Sequence, residues 1–419
     1  MLTKLEGKTL AEAAESYQTA AALRGSGMAP SHPESTADLT RFETLRMGGT
    51  VPEVPNLLTR ATAAIDRSVV RFMERRMAPR TPKIDPRDAR TGLIDLSRAY
   101  SDGTLGAPSP FFPVPATPTV RVSPQGDGPL GTQVVDLAYP SEYQPFLPAA
   151  RDLHLRATEN LTAHARWWTS GAGRPTIVLL HGWGGGNHWV TSRAFVVPYW
   201  LRHGFDVAAF VLPFHGDRAP GSSLGRSGAR FSASWPSGNP MRTNEGFGQA
   251  IHDLRALALF LRSRGASVVG AMGMSLGGYT TSLWASIAGP DDPGGLDFAV
   301  AMIPAVSMSR LFWRHGEHSP QRMRAAKAGI TEDLLADAFA VHAPLTRPVR
   351  IPPERLAVIA GKGDRITPPD QAEALAAHWN VPIQWFAGGH LAQVGRGDAL
   401  REVRRQLAGL GFAGREFRA

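Results

Sequence analysis

The sequence predicts an α/β protein with a mostly parallel central sheet flanked by helices. Short runs of consecutive apolar residues recur at 176–180, 207–212, 298–303 and 356–360. A strand that is buried on both faces carries such a continuous apolar run, whereas a strand with one wet face alternates. Segments with helical periodicity separate the runs, and alternating strands and helices form parallel sheets through right-handed crossovers.

Residues 1–132 are predicted to be a helical and extended region that packs on the core domain or caps its cleft. Residues 10–23 are alanine-rich and compatible with a helix. Residues 55–77 favour a longer helix, whereas the Pro- and Gly-rich residues 103–131 favour an extended segment lying over the core. Apolar side chains recur along the longer helix at three- and four-residue steps. They are Leu58, Ala61, Ile65, Val69, Phe72 and Met73.

Two interpretations of the helix at residues 55–77 stay open. In the first, its apolar face packs on the core domain or covers the cleft. In the second, the helix lies at a lipid surface with its apolar face in the membrane interface. The second interpretation makes a peripheral lipid surface a candidate partner of the protein.

The core domain is predicted to span residues 133–419. Residues 133–139 and 163–168 favour strands, and residues 192–203 and 244–264 favour helices. The last of these helices has apolar residues that would face the sheet, namely Ile251, Leu254, Leu257, Ala258 and Leu261. In such a sheet the loops that carry chemistry share the edge at the carboxyl ends of the strands.

The stretch Gly273-Met274-Ser275-Leu276-Gly277 lies between an apolar run and a helix-compatible run. This G-x-S-x-G pattern forms a nucleophile elbow when it connects a strand to a helix. The turn is so tight that the residues flanking the serine must be small, and the serine hydroxyl is exposed at its apex. The amide of Leu276 begins the helix, where free N–H groups can face an oxyanion. An ordinary Gly/Ser turn is the alternative interpretation.

Three more segments combine a strand-like run with a loop that suits catalysis. One apolar run ends in the Gly-rich loop 181–186, a second leads to Asp364, and a third leads to His390. Placement after a strand puts each loop at the carboxyl edge of a parallel sheet. The chain order Ser275, Asp364, His390 is that of the α/β-hydrolases.

The chain resembles the α/β-hydrolase superfamily over residues 171–410, in a serine esterase- and lipase-like form. The resemblance implies an α/β-hydrolase fold with an N-terminal extension and a lid inserted at about residues 307–350. It also implies that the amide of Trp183, which follows His-Gly, completes an oxyanion hole with that of Leu276. Within the superfamily the chain is most similar to uncharacterised abhydrolase-domain proteins through two segments. They are Leu212-Pro213-Phe214-His215-Gly216-Asp217-Arg218 and Ser275-Leu276-Gly277-Gly278.

The chemistry of ester cleavage assigns a role to each candidate residue. A serine hydroxyl is a poor nucleophile at neutral pH, so a base must take the proton of Ser275. His390 is the expected base, because the pKa of an unperturbed histidine lies near working pH. Asp364 is expected to hold the imidazole in the right tautomer, and no metal or organic cofactor is expected. Asp297 is a rival acid, but it precedes its strand and would lie at the wrong edge of the sheet.

Three other polar residues near the motifs have structural interpretations. His181 is expected to pack under the oxyanion loop. His215 and Arg218 are expected to brace a loop or to line the mouth of the pocket rather than to transfer protons.

Aromatic side chains near the expected site favour an apolar acyl or aryl group over a sugar. Trp189, Phe214 and Trp313 are the predicted substrate-binding residues, the last of them in the lid segment. The predicted activity is hydrolysis of carboxylic esters, acyl or lipid-like, through an acyl-enzyme. A peptidase or amidase and a thioesterase share the triad and stay open, as does a non-catalytic binding protein on the same fold.

Composition excludes several classes of function. The chain has 419 residues, with 45 Lys and Arg against 36 Asp and Glu and a formal net charge of +9. The basic residues are scattered arginines without a nucleic-acid-binding motif, so nucleic acid is not an expected partner. The chain lacks cysteine, which excludes disulfides and zinc–thiolate sites. Without a secretory h-region or a long apolar run, a bacterial cytoplasmic protein is expected; the oligomeric state is not predicted.

Overall fold

In the computed structural model, the described residues form one nine-stranded sheet with helices on both sides. The predicted helix at residues 10–23 lies outside the described residues. Among the helices that the structure describes, none combines the length and the apolar character needed to cross a membrane. The described residues are 56–76, 86–101, 104–105, 107, 109–221, 235–237, 239–315 and 320–412.

The described residues contain nine strands in a single sheet. They are β1 (Arg121–Asp127), β2 (Gln133–Pro140), β3 (Thr162–Thr169), β4 (Thr176–Leu180), β5 (Asp206–Phe210), β6 (Val269–Met274), β7 (Ala299–Met302), β8 (Leu356–Gly361) and β9 (Ile383–Phe386). Their order in the sheet is β1-β2-β3-β5-β4-β6-β7-β8-β9. Pairing is antiparallel from β1 through β3 to β5, and parallel from β5 to β9. The predicted mostly parallel sheet is confirmed.

Twelve α-helices accompany the sheet within the described ranges. They are α1 (Leu57–Arg76), α2 (Pro86–Ser101), α3 (Arg151–Arg156), α4 (His188–Ala194), α5 (Val197–Arg202), α6 (Pro240–Ser263), α7 (Leu276–Ile287), α8 (Met308–His315), α9 (Pro320–Lys327), α10 (Glu332–Phe339), α11 (Pro369–Trp379) and α12 (Arg396–Gly409). Helices α8, α9 and α10 lie in the segment that is predicted to form a lid.

Both faces of the central strands are buried, which explains why their sequences are continuously apolar. Along β4, Ile177 and Leu179 belong to one apolar cluster, and Val178 and Leu180 belong to the other. The first cluster also contains side chains of α5 and α12, and the second contains side chains of α6, α7 and α11. The sheet is therefore the middle layer of three.

One predicted helix is two helices in the structure. The sequence predicts a single helix over residues 192–203, but α4 ends at Ala194 and α5 begins at Val197. Val196 between them has a left-handed φ of 54°. A proline inside a helix clashes with the carbonyl group four residues before it, so Pro198 suits the first turn of a new helix.

Part of the predicted extended segment 103–131 is a strand. β1 is the edge strand of the sheet, and its register with β2 shifts between Pro124 and Gly126. Proline and glycine disfavour a central strand, but an edge strand with an irregular register tolerates both. The boundary predicted at residue 132 therefore falls between two paired strands, and the division into two regions stays a prediction.

Helix α1 packs through a different face from the one that its apolar periodicity predicts. Thr62 and Asp66 are buried, whereas Leu58 and Ile65 are 43% and 48% exposed. Through these polar side chains the helix contacts the backbone of two loops of the core domain. Its role as a cover of the cleft stays a prediction. The other interpretation, a helix at a lipid surface, stays a prediction.

Candidate active site

Ser275 lies at the turn between β6 and α7, where the G-x-S-x-G pattern predicts it. Its backbone angles are φ 58° and ψ −114°, a strained conformation that persists only where the surroundings impose it. A Cβ atom at Gly277 would collide with the backbone at the end of β4, and one at Gly273 would collide with the carbonyl group of Gly277. Both glycines are therefore required by the close approach of backbone segments around the serine.

The Gly-rich loop after β4 lies directly against the elbow. A Cβ atom built on Gly182 would be 3.4 Å from the Cβ atom of Ser275, so the backbone leading into Trp183 passes beside the serine. Leu276 is the first residue of α7, and the first amide groups of a helix have no partner within it. The two predicted oxyanion donors thus belong to backbone segments on either side of Ser275.

His181, in its neutral form, anchors the Gly-rich loop that follows β4. Its Nδ1 lies 2.8 Å from the carbonyl oxygen of Gly182, and its Nε2 accepts a hydrogen bond from the amide of Leu212 (3.1 Å). Burial lowers the pKa of His181 to about 3, so Nδ1 carries the single proton and donates it to the carbonyl. The structural interpretation of this histidine agrees with these contacts.

Asp364 and His390 form a hydrogen-bonded pair at the carboxyl edge of the sheet. Asp364 Oδ2 lies 2.8 Å from His390 Nδ1. Asp364 Oδ1 accepts the amides of Ile366 (2.9 Å) and Thr367 (2.8 Å), which fixes the plane of the carboxylate. The hydroxyl oxygen of Thr367 lies 3.0 Å from both Asp364 Oδ2 and His390 Nδ1. The arrangement leaves His390 Nε2 as the ring nitrogen available for proton transfer.

The pKa of the His390 imidazole is raised above its ordinary value. Burial lowers this pKa, but the charge of Asp364 and the hydrogen bond that Asp364 accepts raise it more. An imidazole accepts a proton only in its neutral form, so the raised pKa of His390 moves the range in which the ring can accept one to higher pH.

The loop that carries His390 contacts the last residue of β6, directly before Ser275. Gln393 Nε2 donates to Met274 Sδ (3.2 Å) and to the carbonyl oxygen of His390 (3.0 Å). Among the described side chains, no hydrogen bond joins Ser275 Oγ to the His390 ring. Catalytic hydrogen bonds are often long without substrate and tighten when it binds. The structure thus brings Asp364 and His390 together and holds the loop of His390 against the elbow.

The three predicted substrate-binding residues lie on different elements. Trp189 is on α4 and 62% exposed, and Arg193 stacks on its ring at 4.0 Å. Phe214 is buried, with the Arg242 guanidinium 4.4 Å from its ring centre, so it packs the core in this conformation. Trp313 is half-buried on α8. The substrate-binding role of all three stays a prediction.

The rival acid and the polar residues of the 212–218 segment have structural partners. Asp297 pairs with Arg262 (2.8 Å) and accepts the first amide of β6 (2.7 Å), which places it at the amino edge of the sheet. Arg218 forms a fully buried ion pair with Asp253 at 2.7 Å. His215 is buried, and its Nδ1 lies 2.8 Å from the carbonyl oxygen of the proline two residues before it.

Sequence reasoning missed three residues that contact Asp364 or His390 or the loops that carry them, which are the acid loop (residues 362–368) and the base loop (residues 387–395). Thr367 and Gln393 each lie three residues after a predicted triad member, and this short spacing is the only signal that pointed to them. Asp66 lies on α1 and accepts the amide of His390 at 2.7 Å. Nothing in the sequence near Asp66 indicates this contact, because the two residues are 324 positions apart.

Comparisons with known proteins agree with this fold. The profile of a family described as the alpha/beta hydrolase family matches residues 177–403, more than half of the chain. An uncharacterized protein of Mycobacterium tuberculosis is 30% identical over 226 residues, which cover 52% of this chain and 50% of that protein. The chain therefore spans about half the length of the curated relatives that it matches.

Two solved structures of esterases are similar to the chain at low identity. Acetyl xylan esterase 1 from Thermoanaerobacterium sp. is 14% identical with a TM-score of 0.46, covering 75% of this chain and 93% of that protein. The esterase Pf2001 of Pyrococcus furiosus is 17% identical with a TM-score of 0.40, covering 59% of this chain and 87% of that protein.

Proposed function

The chain belongs to the alpha/beta hydrolase family, and we propose that it is a serine hydrolase that cleaves carboxylic esters through an acyl-enzyme. The observation that carries the proposal is the 2.8 Å hydrogen bond between Asp364 Oδ2 and His390 Nδ1. This pair lies at the same sheet edge as Ser275 in its strained elbow. A serine becomes a nucleophile when such a paired imidazole can take its proton.

The first half of the proposed reaction forms the acyl-enzyme. His390 Nε2 takes the proton of Ser275 Oγ while Oγ attacks the ester carbonyl carbon. The carbonyl oxygen becomes an oxyanion, which the amides of Trp183 and Leu276 stabilise. The imidazolium is stabilised by Asp364, and it then gives its proton to the leaving alcohol as the C–O bond breaks.

The second half of the reaction releases the acid. A water molecule takes the place of the alcohol, and His390 Nε2 removes one of its protons as the water oxygen attacks the acyl carbon. The same two amides receive the second oxyanion. When the bond to Ser275 Oγ breaks, the proton returns from His390 to the serine.

The acyl group is proposed to lie under the lid helix α8, where Trp313 is half-buried. This helix contacts the acid loop directly, because His315 Nε2 lies 2.6 Å from the carbonyl oxygen of Ile366. Amides and thioesters would pass through the same steps. A panel of p-nitrophenyl esters of graded acyl length, with a thioester and an anilide of the same acyl group, therefore separates the three activities.

Labelling with a fluorophosphonate probe tests the proposal directly at the serine and needs no substrate. The probe reacts with an activated serine, and peptide mass spectrometry locates the modified residue. We expect labelling at Ser275 in the wild type, none in Ser275→Ala, and at least a hundredfold slower labelling in His390→Ala. Ser68→Ala is the matched control, because Ser68 is an exposed serine on α1 and its loss should leave labelling unchanged.

Two outcomes would contradict the proposal. Folded wild-type protein that does not react at Ser275 would indicate a binding protein rather than an enzyme. Ester turnover that survives in Ser275→Ala would place the nucleophile elsewhere in the chain.

A further inference from the structure

The buried carboxylate of Asp66 has no role in the reaction as described so far. Helix α1 carries it into the loops of the acid and the base, where it is completely buried. Its Oδ2 accepts the amides of Arg365 (3.1 Å) and His390 (2.7 Å), and its Oδ1 accepts the amide of Leu391 (3.2 Å). The Asp66 side chain thus binds the backbone of both loops, at the residue after Asp364, at His390 itself and at the residue after His390.

The two loops are shaped to receive α1. A Cβ atom on Gly363, which precedes the acid, would lie 2.6 Å from Thr62 Oγ1. A Cβ atom on Gly389, which precedes the base, would lie 2.7 Å from Asp66 Oδ2. Both distances are shorter than real Cβ contacts, so glycine at these positions allows the helix to approach the loops. The contact at Gly363 does not involve Asp66, so it points to the same docking independently of the hydrogen bonds.

Two carboxylates from different elements raise the pKa of the His390 imidazole. Burial lowers the pKa of His390, while Asp364 and, more weakly, Asp66 raise it. The pKa of Asp66 is itself raised, by burial first and also by the charge of Asp364, although its backbone hydrogen bonds lower it. The charge of Asp66 therefore favours the imidazolium that forms during the reaction.

The cations around this pair of carboxylates belong to three elements. The pKa of Arg365 is lowered by burial first and then by the charge of Arg67. The charges of Asp364 and Asp66 raise this pKa, and the charge of Arg314 lowers it. Within the described residues, no arginine forms an ion pair with Asp66. Backbone amides are therefore the direct partners of this carboxylate.

We propose that Asp66 is a positioning residue for the reaction, which ties the acid loop to the base loop and holds His390 in line with Ser275. The inference rests on the proposed function, since it assigns His390 as the base. It makes α1 a part of the active-site framework. A helix that only covered the loops would not need a buried carboxylate bound to three of their amides.

Asp66→Asn is the informative variant because it keeps the volume of the side chain and removes its charge. The amide oxygen can take the position of Oδ2 and accept from Arg365 and His390. Its NH2 group then faces the amide of Leu391, so donor meets donor and the base loop is displaced. A displacement of about 1 Å at a reacting group costs roughly a hundredfold in rate.

The test follows fluorophosphonate labelling of the full chain as a function of pH, with Asp88→Asn as the control. Asp88 is an exposed acid on α2, so its loss removes the same charge without touching the loops. In Asp66→Asn we expect the maximal labelling rate to fall about 10- to 100-fold. We also expect the midpoint of the pH profile to move to lower pH, because one of the charges that raise the pKa of His390 is gone. Asp88→Asn should move neither quantity.

Asp66→Glu covers the case in which the asparagine variant does not fold. It keeps the charge but carries the carboxylate one carbon further, so the pH midpoint should stay near that of the wild type while the rate falls. Folded Asp66→Asn with a wild-type rate and midpoint, or Asp66→Glu with a wild-type rate, would overturn the positioning role. Failure of the wild type to label at Ser275 would instead overturn the proposed function, so the two failures are distinguishable.

Discussion

Replacement of Asp364 by asparagine tests the roles proposed for Asp364 and His390. Asp364 Oδ1 accepts the amides of Ile366 (2.9 Å) and Thr367 (2.8 Å), whereas Oδ2 faces His390 Nδ1 (2.8 Å). The asparagine oxygen must take the Oδ1 position, because an NH2 group there would face two N–H donors. The NH2 group then takes the Oδ2 position and points at His390 Nδ1.

The expected loss of activity follows from this forced orientation. Nδ1 can accept from the NH2 group only when it carries no proton, so neutral His390 holds its proton on Nε2. Nε2 is the atom that must take the proton of Ser275, so the base is blocked in its neutral form. The same change of tautomer lowers kcat by about 10⁴-fold in a well-studied triad, and we expect a loss of at least 10³-fold here. That corresponds to about 4 kcal/mol of transition-state stabilisation.

The assay is kcat/KM for the best ester of the panel, or the rate of fluorophosphonate labelling, in variants shown to be folded by thermal unfolding. Asp297→Asn is the matched control, since Asp297 is the rival acid at the amino edge of the sheet and should leave activity within about twofold. A loss below tenfold in Asp364→Asn would refute the assignment. Equal losses in both variants would show that the effect is general destabilisation.

Two further predictions concern stability. Arg218 and Asp253 form a fully buried ion pair. Arg218→Met should therefore lower the free energy of unfolding by about 3–5 kcal/mol in urea titrations. A loss below about 1 kcal/mol would contradict this prediction. Burial lowers the pKa of His181 to about 3 and that of His215 to about 4, whereas unfolded histidine titrates near 6.5. The unfolded state therefore binds more protons below pH 6.5, and stability should fall toward pH 4 by about 1.4 kcal/mol per pH unit for each histidine. Urea titrations at pH 7.5 and 5 check this prediction. In His181→Gln, the free energy of unfolding should change less between these two pH values than in the wild type.

The parallel strands were predictable because burial on both faces leaves a simple pattern. The apolar run at 176–180 is β4 without a shift, and the run at 356–360 is β8 less its last residue. Period-3.6 patterns also located α6, but the helix begins at Pro240 rather than at residue 244. The side chain of Asn239 caps it by accepting the amide of Arg242, and proline suits the first helical turn. The start signal was therefore present in the sequence, a few residues before the first residue of the apolar pattern.

The acid–base pair was predictable because each partner follows an apolar strand, and parallel strands deliver their loops to one edge. The two carboxylate contacts of Asp364 with the amides of Ile366 and Thr367 are also local, since they lie within three residues. Asp66 could not be predicted in this way. A polar residue on an amphipathic helix ordinarily marks the solvent face, and only the folded loops offer the backbone donors that reverse this rule.

The contacts of α1 and α2 argue that these two helices are built into the proposed site rather than appended to it. Asp66 on α1 binds the backbone of the acid and base loops. Helix α2 packs on the helices of the lid segment, and Arg90 Nε donates to the carbonyl oxygen of Gly329 there (3.1 Å). The same helix reaches the core through the hydroxyl of Tyr100, which donates to Glu245 (2.7 Å). One stretch of chain thus contacts both the groups proposed to move protons and the segment proposed to cover the acyl group, so a shift of these helices would act on both together.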